Sequence, residues 1–270
     1  MKLIRTTFLL FAIFSVSIFG AENPTPFSGE LRVMSFNIHI GIGMDEKLDL
    51  QRTAEAILKE NPDLVALQEV DRFAERTEKL DQPKILAEQT GMNVVYGKTI
   101  DNSGGDYGIA ILSKFPIVEH TFTPLPREDD REKRGMLQAT VKLDDSHTIR
   151  FFCTHLCAYN EKNRVLQVQK INEIAEKDNS LLLIGGDFNA KPKSDSNELM
   201  LKLWEDLSDA GSTFSSTRPN MRIDYIFTRA GEVAPGVRMK LEKLESKVIP
   251  DAITSDHRPI LAVVKFSNEL

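Results

Sequence analysis

Eight polar side chains recur at one kind of place in this sequence, directly after a short apolar run. They are Asn37, Glu69, His155, Asp187, Asn189, Asp224, Asp256 and His257. Carboxylate and amide oxygens are the ligands that hard divalent cations take, and a carboxylate beside an imidazole can move protons near neutral pH. Such a set can bind a metal ion or a phosphate if the chain gathers it into one cleft. Taken singly, each residue has a plainer reading. Asn37 can satisfy a turn, Glu69 can be a surface acid, His155 can be a hydrogen-bonded core histidine, and Asp256 with His257 can belong to a polar turn before Pro259. Two positions carry more weight. Gly185 and Gly186 ahead of Asp187 let backbone approach closely while a buried strand holds the carboxylate. Asp224 follows Ile223 in a β-rich stretch, where a carboxylate needs a partner.

The elements that must position these groups alternate between apolar runs and helical patterns, as in stacked layers of strands and helices. Residues 31–36 predict a strand reaching Asn37. Leu50, Ala54, Ile57 and Leu58 repeat at helical spacing until Asn61-Pro62 stops them. Residues 64–67 form a buried strand that delivers Gln68 and Glu69. A helix over 83–90 has Gly91 as its stop signal, and a short strand over 108–112 is broken by residues 113–116. Residues 136–143 and 148–154 predict a hairpin with His155 at its far end. Val165, Val168, Ile171 and Ala175 then mark an amphipathic helix. A fully apolar strand over 181–184 runs into Gly185, and two more strands follow over 223–228 and 260–266. Trp204 sits in a helix-like stretch and reads as a core residue. The segment 127–134 is nearly all charge and reads as a solvated loop. No repeat or linker interrupts the series, so residues 30–268 read as one domain after a short segment, 22–29.

Composition narrows the class. Among 270 residues 41% are hydrophobic, enough for one sizeable core. Lys2 and Arg5 precede an uncharged apolar stretch over 6–19, too short to span a bilayer comfortably, so residues 1–21 predict a signal peptide and a secreted or periplasmic protein. An uncleaved membrane anchor is the alternative; after cleavage no stable membrane insertion is expected. Losing the segment removes Lys2 and Arg5 and no acid, taking the net charge from -6 to -8. That acidic balance argues against nonspecific adhesion to DNA or anionic lipid, although a bound metal can still attract a polyanion locally. Cys153 and Cys157 read as two free or buried thiols, because in an extended strand they would lie roughly 13 Å apart, beyond disulfide reach; a turn after His155 would make a bridge the alternative.

In chain order, eight segments resemble the endonuclease/exonuclease/phosphatase superfamily: Ser35-Phe-Asn37-Ile, Leu67-Gln-Glu69-Val, Gly108-Ile-Ala-Ile-Leu-Ser113-Lys-Phe-Pro, Arg134-Gly135, Thr154-His155-Leu, Gly186-Asp187-Phe-Asn189-Ala, Arg222-Ile-Asp224-Tyr-Ile-Phe and Ser255-Asp256-His257-Arg-Pro. The resemblance implies an α/β (α+β) fold, a four-layer αββα sandwich of two mixed β-sheets flanked by helices. It also implies a monomeric hydrolase of phosphate esters that depends on Mg2+, with Mn2+ as a substitute. By the same resemblance, Glu69 is the principal metal ligand, helped by Asn37 and Asp256. Asp187 orients or deprotonates the attacking water, and Asn189 holds that water or a phosphate oxygen. Asp224 fixes His257, which donates to the reacting phosphate, while His155 and Arg134 contact other phosphate oxygens.

Ser215-Ser216 stands where many bacterial relatives carry a proline, and the 127–134 segment is idiosyncratic; both bear on the substrate rather than on the chemistry. The phosphate ester could belong to a nucleic acid, a nucleotide, a phospholipid or an inositol phosphate. A phosphodiesterase or endonuclease-like activity is the leading expectation. The alternatives are a sphingomyelinase-like or inositol-phosphate-directed enzyme, and an inactive binding module that keeps the fold. No interleaved aromatic and basic patch and no apolar hairpin stands out, which favours a small or broad substrate over duplex DNA.

Overall fold

The computed structural model describes residues 25–130 and 132–269, so the expected signal segment 1–21 lies outside the described residues. In chain order the elements are β1 (Glu30–Asn37), α1 (Leu50–Glu60), β2 (Leu64–Arg72), α2 (Gln82–Thr90), β3 (Asn93–Asn102), β4 (Gly105–Ser113), β5 (Ile117–Pro124), β6 (Gly135–Lys142), β7 (Thr148–His155), α3 (Glu161–Glu176), β8 (Leu182–Asp187), α4 (Asp195–Leu201), β9 (Glu205–Asp206), β10 (Asp224–Arg229), β11 (Gly231–Ala234), β12 (Val237–Val248) and β13 (Ile260–Asn268). A seven-stranded sheet has the order β11-β12-β13-β1-β2-β4-β3, and a six-stranded sheet the order β5-β6-β7-β8-β10-β9. Each sheet contains one parallel pair, β1 with β2 and β7 with β8, among antiparallel neighbours.

Local signals stop the helices where the sequence asks. Asp49 and Asp81 cap the first turns of α1 and α2 by accepting from Arg52 N and Lys84 N, which satisfies otherwise orphaned helix donors. Asn61 and Gly91 take left-handed conformations that close the same helices. Period-two alternation then assigns every strand residue to a layer. Met34, Phe36, Val65 and Leu67 face outward and pack with Ala54, Ile57 and Leu86 of α1 and α2. Phe152, Leu182, Ile184, Tyr225 and Phe227 face the other way, toward Val168 and Ile171 of α3 and Met200 of α4. The intervening positions, including Leu31, Val33, Leu64, Ile149, Phe151, Leu181 and Leu183, form the core between the sheets. Helices therefore cover the outer face of each sheet, giving the αββα layering.

Along that inner face the residues change character toward one edge. In β1 the series runs Leu31, Val33, Ser35, Asn37; in β7 Ile149, Phe151, Cys153, His155; and the segment into β8 gives Leu181, Leu183, Gly185, Asp187. Apolar residues give way to small ones, and the small ones to polar groups at the rim. At the level of the small residues the sheets nearly touch. A Cβ placed on Gly185 would lie 2.9 Å from the Ala66 Cβ and 3.4 Å from the Ser35 Cβ of the opposite sheet.

Several details depart from the sequence reading. The edge strands β3, β5 and β11, and β12 next to the edge, were not anticipated; β12, for example, alternates Lys and Glu with apolar residues and lacks a continuous apolar run. Trp204 lies beyond the end of α4 rather than in a helix, although it is buried as a core residue, with its indole N–H donating to the Asn172 side chain. The charged segment before β6 is solvent-exposed over much of its length, but it ends in a buried Arg134. Cys153 and Cys157 are both buried free thiols.

Gly185 sets the separation of the sheets, so Gly185→Val should destabilise the fold by about 1–3 kcal/mol through overpacking and should also spread the polar rim. Chemical denaturation will read the first effect, and a wild-type unfolding midpoint would refute the close-approach argument.

Candidate active site

The strand registers bring the polar residues into one row. His155 at the end of β7 pairs with Asp187 at the end of β8, which in turn pairs with Asp224 at the start of β10. Asn37 ends β1 in the facing sheet, beside Gln68 of β2. The sequence reading had placed every one of these groups just past a strand, and that simple rule needs three corrections. Asp224 opens its strand and reaches the same rim because β10 runs antiparallel to β8. Asp256 and His257 lie in the connection between β12 and β13. Glu69 sits inside β2, at a bulge where the register against β4 shifts between Gln68 and Val70, and its φ is 57°. Left-handed backbone at a non-glycine residue is costly and is retained where the surroundings enforce it. Here the bulge turns the Glu69 carboxylate toward Asn37, whose Nδ2 donates to Glu69 Oε1 at 3.0 Å.

Asp187 is the centre of the arrangement and is 1% exposed. Its Oδ1 accepts from the Asn189 backbone N–H at 2.9 Å, and its Oδ2 accepts from Asn37 Nδ2 at 3.2 Å across the gap between the sheets. His155 Nε2 is 3.3 Å from the same Oδ2, and His257 Nε2 is 3.6 Å from it. Burial drives the Asp187 carboxyl well above the ordinary carboxylate range, to about 7, with Asp224 and Glu69 reinforcing the shift and His257 and the Asn189 N–H opposing it.

The two histidines have different protonation states, and geometry assigns both. Arg134 has only N–H groups to offer, and its Nη1 lies 3.1 Å from His155 Nδ1; that nitrogen must therefore accept, which leaves the His155 proton on Nε2, facing Asp187. Burial first, then the Arg134 and His257 charges, holds His155 well below the usual histidine value, so it stays neutral. His257 Nδ1 lies 2.9 Å from Asp224 Oδ2. Burial alone would drive His257 to the neutral form, but the Asp224 and Asp187 carboxylates overcome it and raise the pKa to about 10. The ring is thus an imidazolium at neutral pH, with its Nδ1–H on Asp224. The Phe214 ring packs against it, 4.8 Å between centroids.

Asp187, Asp224 and His257 are also mutually close enough to resemble a metal cluster, their ligand atoms lying within 4.8 Å of one another. His257 Nδ1 faces Asp224 at 2.9 Å and its Nε2 faces Asp187 at 3.6 Å, so the three also form a hydrogen-bonded relay. The hard-oxygen set lies beside it. Glu69 is bonded to Asn37, and Ser255 Oγ donates to the Asn37 carbonyl at 2.7 Å, drawing the neighbouring Asp256 toward the end of β1. Two carboxylates and one amide, with Glu69 and Asp256 partly exposed at the rim, fit a magnesium-like ion, which keeps part of its shell for water and substrate oxygens.

A second polar chain leads away from Arg134, and of its members only Arg134 was singled out from the sequence. Arg134 is 7% exposed and pairs with Glu132 Oε1 at 2.6 Å. It also hydrogen-bonds Tyr107, whose ring lies 5.3 Å below the Arg76 guanidinium. Arg76 in turn donates through Nε and Nη2 to a buried Asp71 at 2.8 Å each. Asp71, Arg76 and Glu132 stand in charge-rich stretches where nothing distinguishes them from a solvated face; the partial signal was Asp71 in the apolar continuation of β2.

With this geometry in place, comparison with known proteins is informative. The sequence profile described as "Endonuclease/Exonuclease/phosphatase family" matches residues 34–257, a span that contains all of the residues above. The chain is 25% identical over 251 residues to the uncharacterised protein YbhP of Escherichia coli, covering 86% of this chain and 95% of that one. It is 28% identical over 193 residues to the inositol phosphosphingolipids phospholipase C of Schizosaccharomyces pombe, covering 63% of this chain and 44% of that longer protein. A Bacteroides thetaiotaomicron endonuclease/exonuclease/phosphatase family protein has the same fold, with a TM-score of 0.72 at 21% identity over 89% of this chain and 99% of that one. From the profile match, supported by the fold, this chain belongs to the endonuclease/exonuclease/phosphatase family of hydrolases acting on phosphate esters.

Proposed function

We propose that this chain is an exported, divalent-metal-dependent hydrolase that cleaves a phosphate ester, in the manner of a phosphodiesterase, by in-line attack of water. The observation that carries the reading is the setting of Asp187: a buried carboxylate raised toward neutrality, faced by one neutral and one protonated histidine. A carboxylate with a pKa near the working pH is a competent general base. Its position two residues before Asn189 puts a second hydrogen-bonding group beside the water it would orient. The Nε2 atoms of His155 and His257 both face Asp187 Oδ2, and the same groups would donate to the oxygens of a phosphate held beside that carboxylate. Asp224 keeps His257 charged, which strengthens that donation as negative charge builds on phosphorus.

Glu69, Asn37 and Asp256 would hold the metal, Mg2+ or Mn2+. Bound there, the ion supplies positive charge that withdraws electrons from the phosphoryl group and offsets the charge on the departing oxygen. A purely binding role would not require the Asp187, Asp224 and His257 relay, whose burial costs stability. Export rests on the sequence of residues 1–21.

Protein expressed from the full chain should hydrolyse bis(4-nitrophenyl) phosphate with magnesium or manganese and stop on addition of chelator. Unchanged turnover in chelator would sink the metal assignment. Asp187→Ala and His257→Ala should each lower kcat by about 10² to 10⁴ with an unaltered far-UV circular dichroism spectrum. A near-wild-type rate in either variant removes that residue from the mechanism.

Proton linkage gives an independent check on His257. Its folded pKa, about 10, lies above the ordinary 6.5, so the stability it contributes is complete below pH 6.5 and is lost as pH rises toward 10. The thermal midpoint of the wild type should therefore fall across that window, and His257→Gln should flatten the slope. Parallel profiles for the two proteins would show that the folded chain does not hold this proton.

A further inference from the structure

Beside Asn189 the surface opens into a cavity of about 280 Å³ lined by Ala158, Arg164, Asn189, Lys191, Ser194, Met221 and Ile223. One wall is therefore a residue of the proposed site. Asn189 links the two spaces directly: its backbone N–H is on Asp187 Oδ1, and its side-chain Nδ2 donates to the Leu156 carbonyl, just past His155. Any group esterified to a phosphate held at His155, Asp187 and His257 has this cavity as its neighbour.

The lining indicates what the cavity would accept. Ala158, Met221 and Ile223 form an apolar part suited to a ring or short carbon skeleton. The volume is at the small end of the range for ligand pockets, which suits a sugar- or nucleoside-sized group rather than a polymer or paired acyl chains. Two cations line it, and they are not equivalent. Arg164 is committed: Nε and Nη2 are on Glu161 Oε2 at 2.7 and 2.6 Å, and Nη1 donates to the carbonyls of Cys157 and Ala158 at 2.7 and 3.0 Å. Its charge is matched and its donors shape the turn after β7. Lys191 is exposed and, among the described residues, makes no ion pair or side-chain hydrogen bond. It is an uncompensated positive charge at the mouth of a cavity beside the reacting centre, on a protein of net charge -6.

We propose that this cavity is the subsite for the esterified group, and that Lys191 selects substrates whose esterified group carries a second anionic substituent, such as a further phosphate. This rests on the hydrolase reading and narrows it to a substrate class. The second anion would displace only the water around one lysine, and Arg164, already paired, would hold the wall rigid. The contribution is electrostatic and partly solvated, worth about a fivefold preference at low salt that shrinks as ionic strength rises.

Binding of glucose 1,6-bisphosphate and glucose 6-phosphate, measured by titration calorimetry on the full chain in an Asp187→Ala background with magnesium, tests this without turnover. The bisphosphate should bind about fivefold more tightly. Lys191→Met should bring the ratio to about one, Lys191→Glu should invert it, and Lys191→Arg should retain it. The same ratio can be read in the wild-type background as inhibition constants against the chromogenic diester, should Asp187→Ala fail to fold. A ratio near one in the parent, or a preference that survives Lys191→Met, overturns the proposal. Failure of the wild type to hydrolyse the diester would overturn the hydrolase reading instead, and the binding ratio would still judge the subsite.

Discussion

The close approach of the two sheets at Gly185 is the constraint on which the site depends. Sheets facing one another across side chains normally stand about 10 Å apart. Here Gly185, Ala66 and Ser35 leave almost nothing between them, with a Cβ on Gly185 falling within 2.9 Å of Ala66. One step further along the same strands the gap is bridged by a hydrogen bond, Asn37 to Asp187 at 3.2 Å. Asp187 and Asn37, the latter hydrogen-bonded to Glu69, arrive on different sheets, 150 residues apart in sequence. Only this approach puts them within bonding distance. The larger apolar residues deeper in the sandwich, Phe151, Leu183 and Ile226 among them, hold the sheets together and make that spacing rigid.

Burial produces both the difficulty and the chemistry. Asp187, Asp224, His155 and His257 are all nearly inaccessible, and unpaired charges there would be prohibitively costly. The fold meets this by alternating donors and acceptors: Asp224 accepts from His257, Asp187 faces His257 and His155, and His155 accepts from Arg134. Each proton position follows from the next group in the row, beginning from arginine, which can only donate. The result is one neutral and one charged imidazole on either side of one carboxylate. A single polar residue at this rim would be an isolated buried charge; the set is tolerable because it is complete. Asp224 Oδ1 and Arg134 Nε, both buried without a partner, are the places in this row where satisfaction fails.

Much of this was legible in the sequence because catalytic side chains of this kind are delivered by strands. Apolar runs such as residues 64–67 and 181–184 fix where a strand lies, and period-two alternation then determines which face the next polar residue takes. The helix stops at Asn61 and Gly91 were equally clear. Strands at or next to the sheet edges were not, since β3, β5 and β12 expose polar residues along much of their length and lose the apolar signature. Nor was the bulge at Glu69: register shifts depend on the partner strand, here β4, and nothing local to Gln68-Glu69-Val70 announces one. Arg134 entered through its Arg-Gly motif, but its role in setting the His155 tautomer depends on a contact 21 residues away. Asp71 and Arg76 were lost among neighbouring charges because pairing, unlike periodicity, leaves no mark in the sequence.

The division between strand-borne and loop-borne groups also separates two kinds of evolutionary freedom. Asp187 and His155 are fixed by ladder hydrogen bonds within the second sheet, and moving either by one residue would turn it to the helical face. Lys191, Ala158 and Met221 lie on connections outside the strands, where backbone and side chains can change without disturbing the sandwich. The first set is held in position by the sheet itself, whereas the second is held only by its connections. A fold built this way can keep one row of polar groups constant while its loops vary, which is why the strand-borne groups are legible from periodicity and the walls beside Asn189 are not.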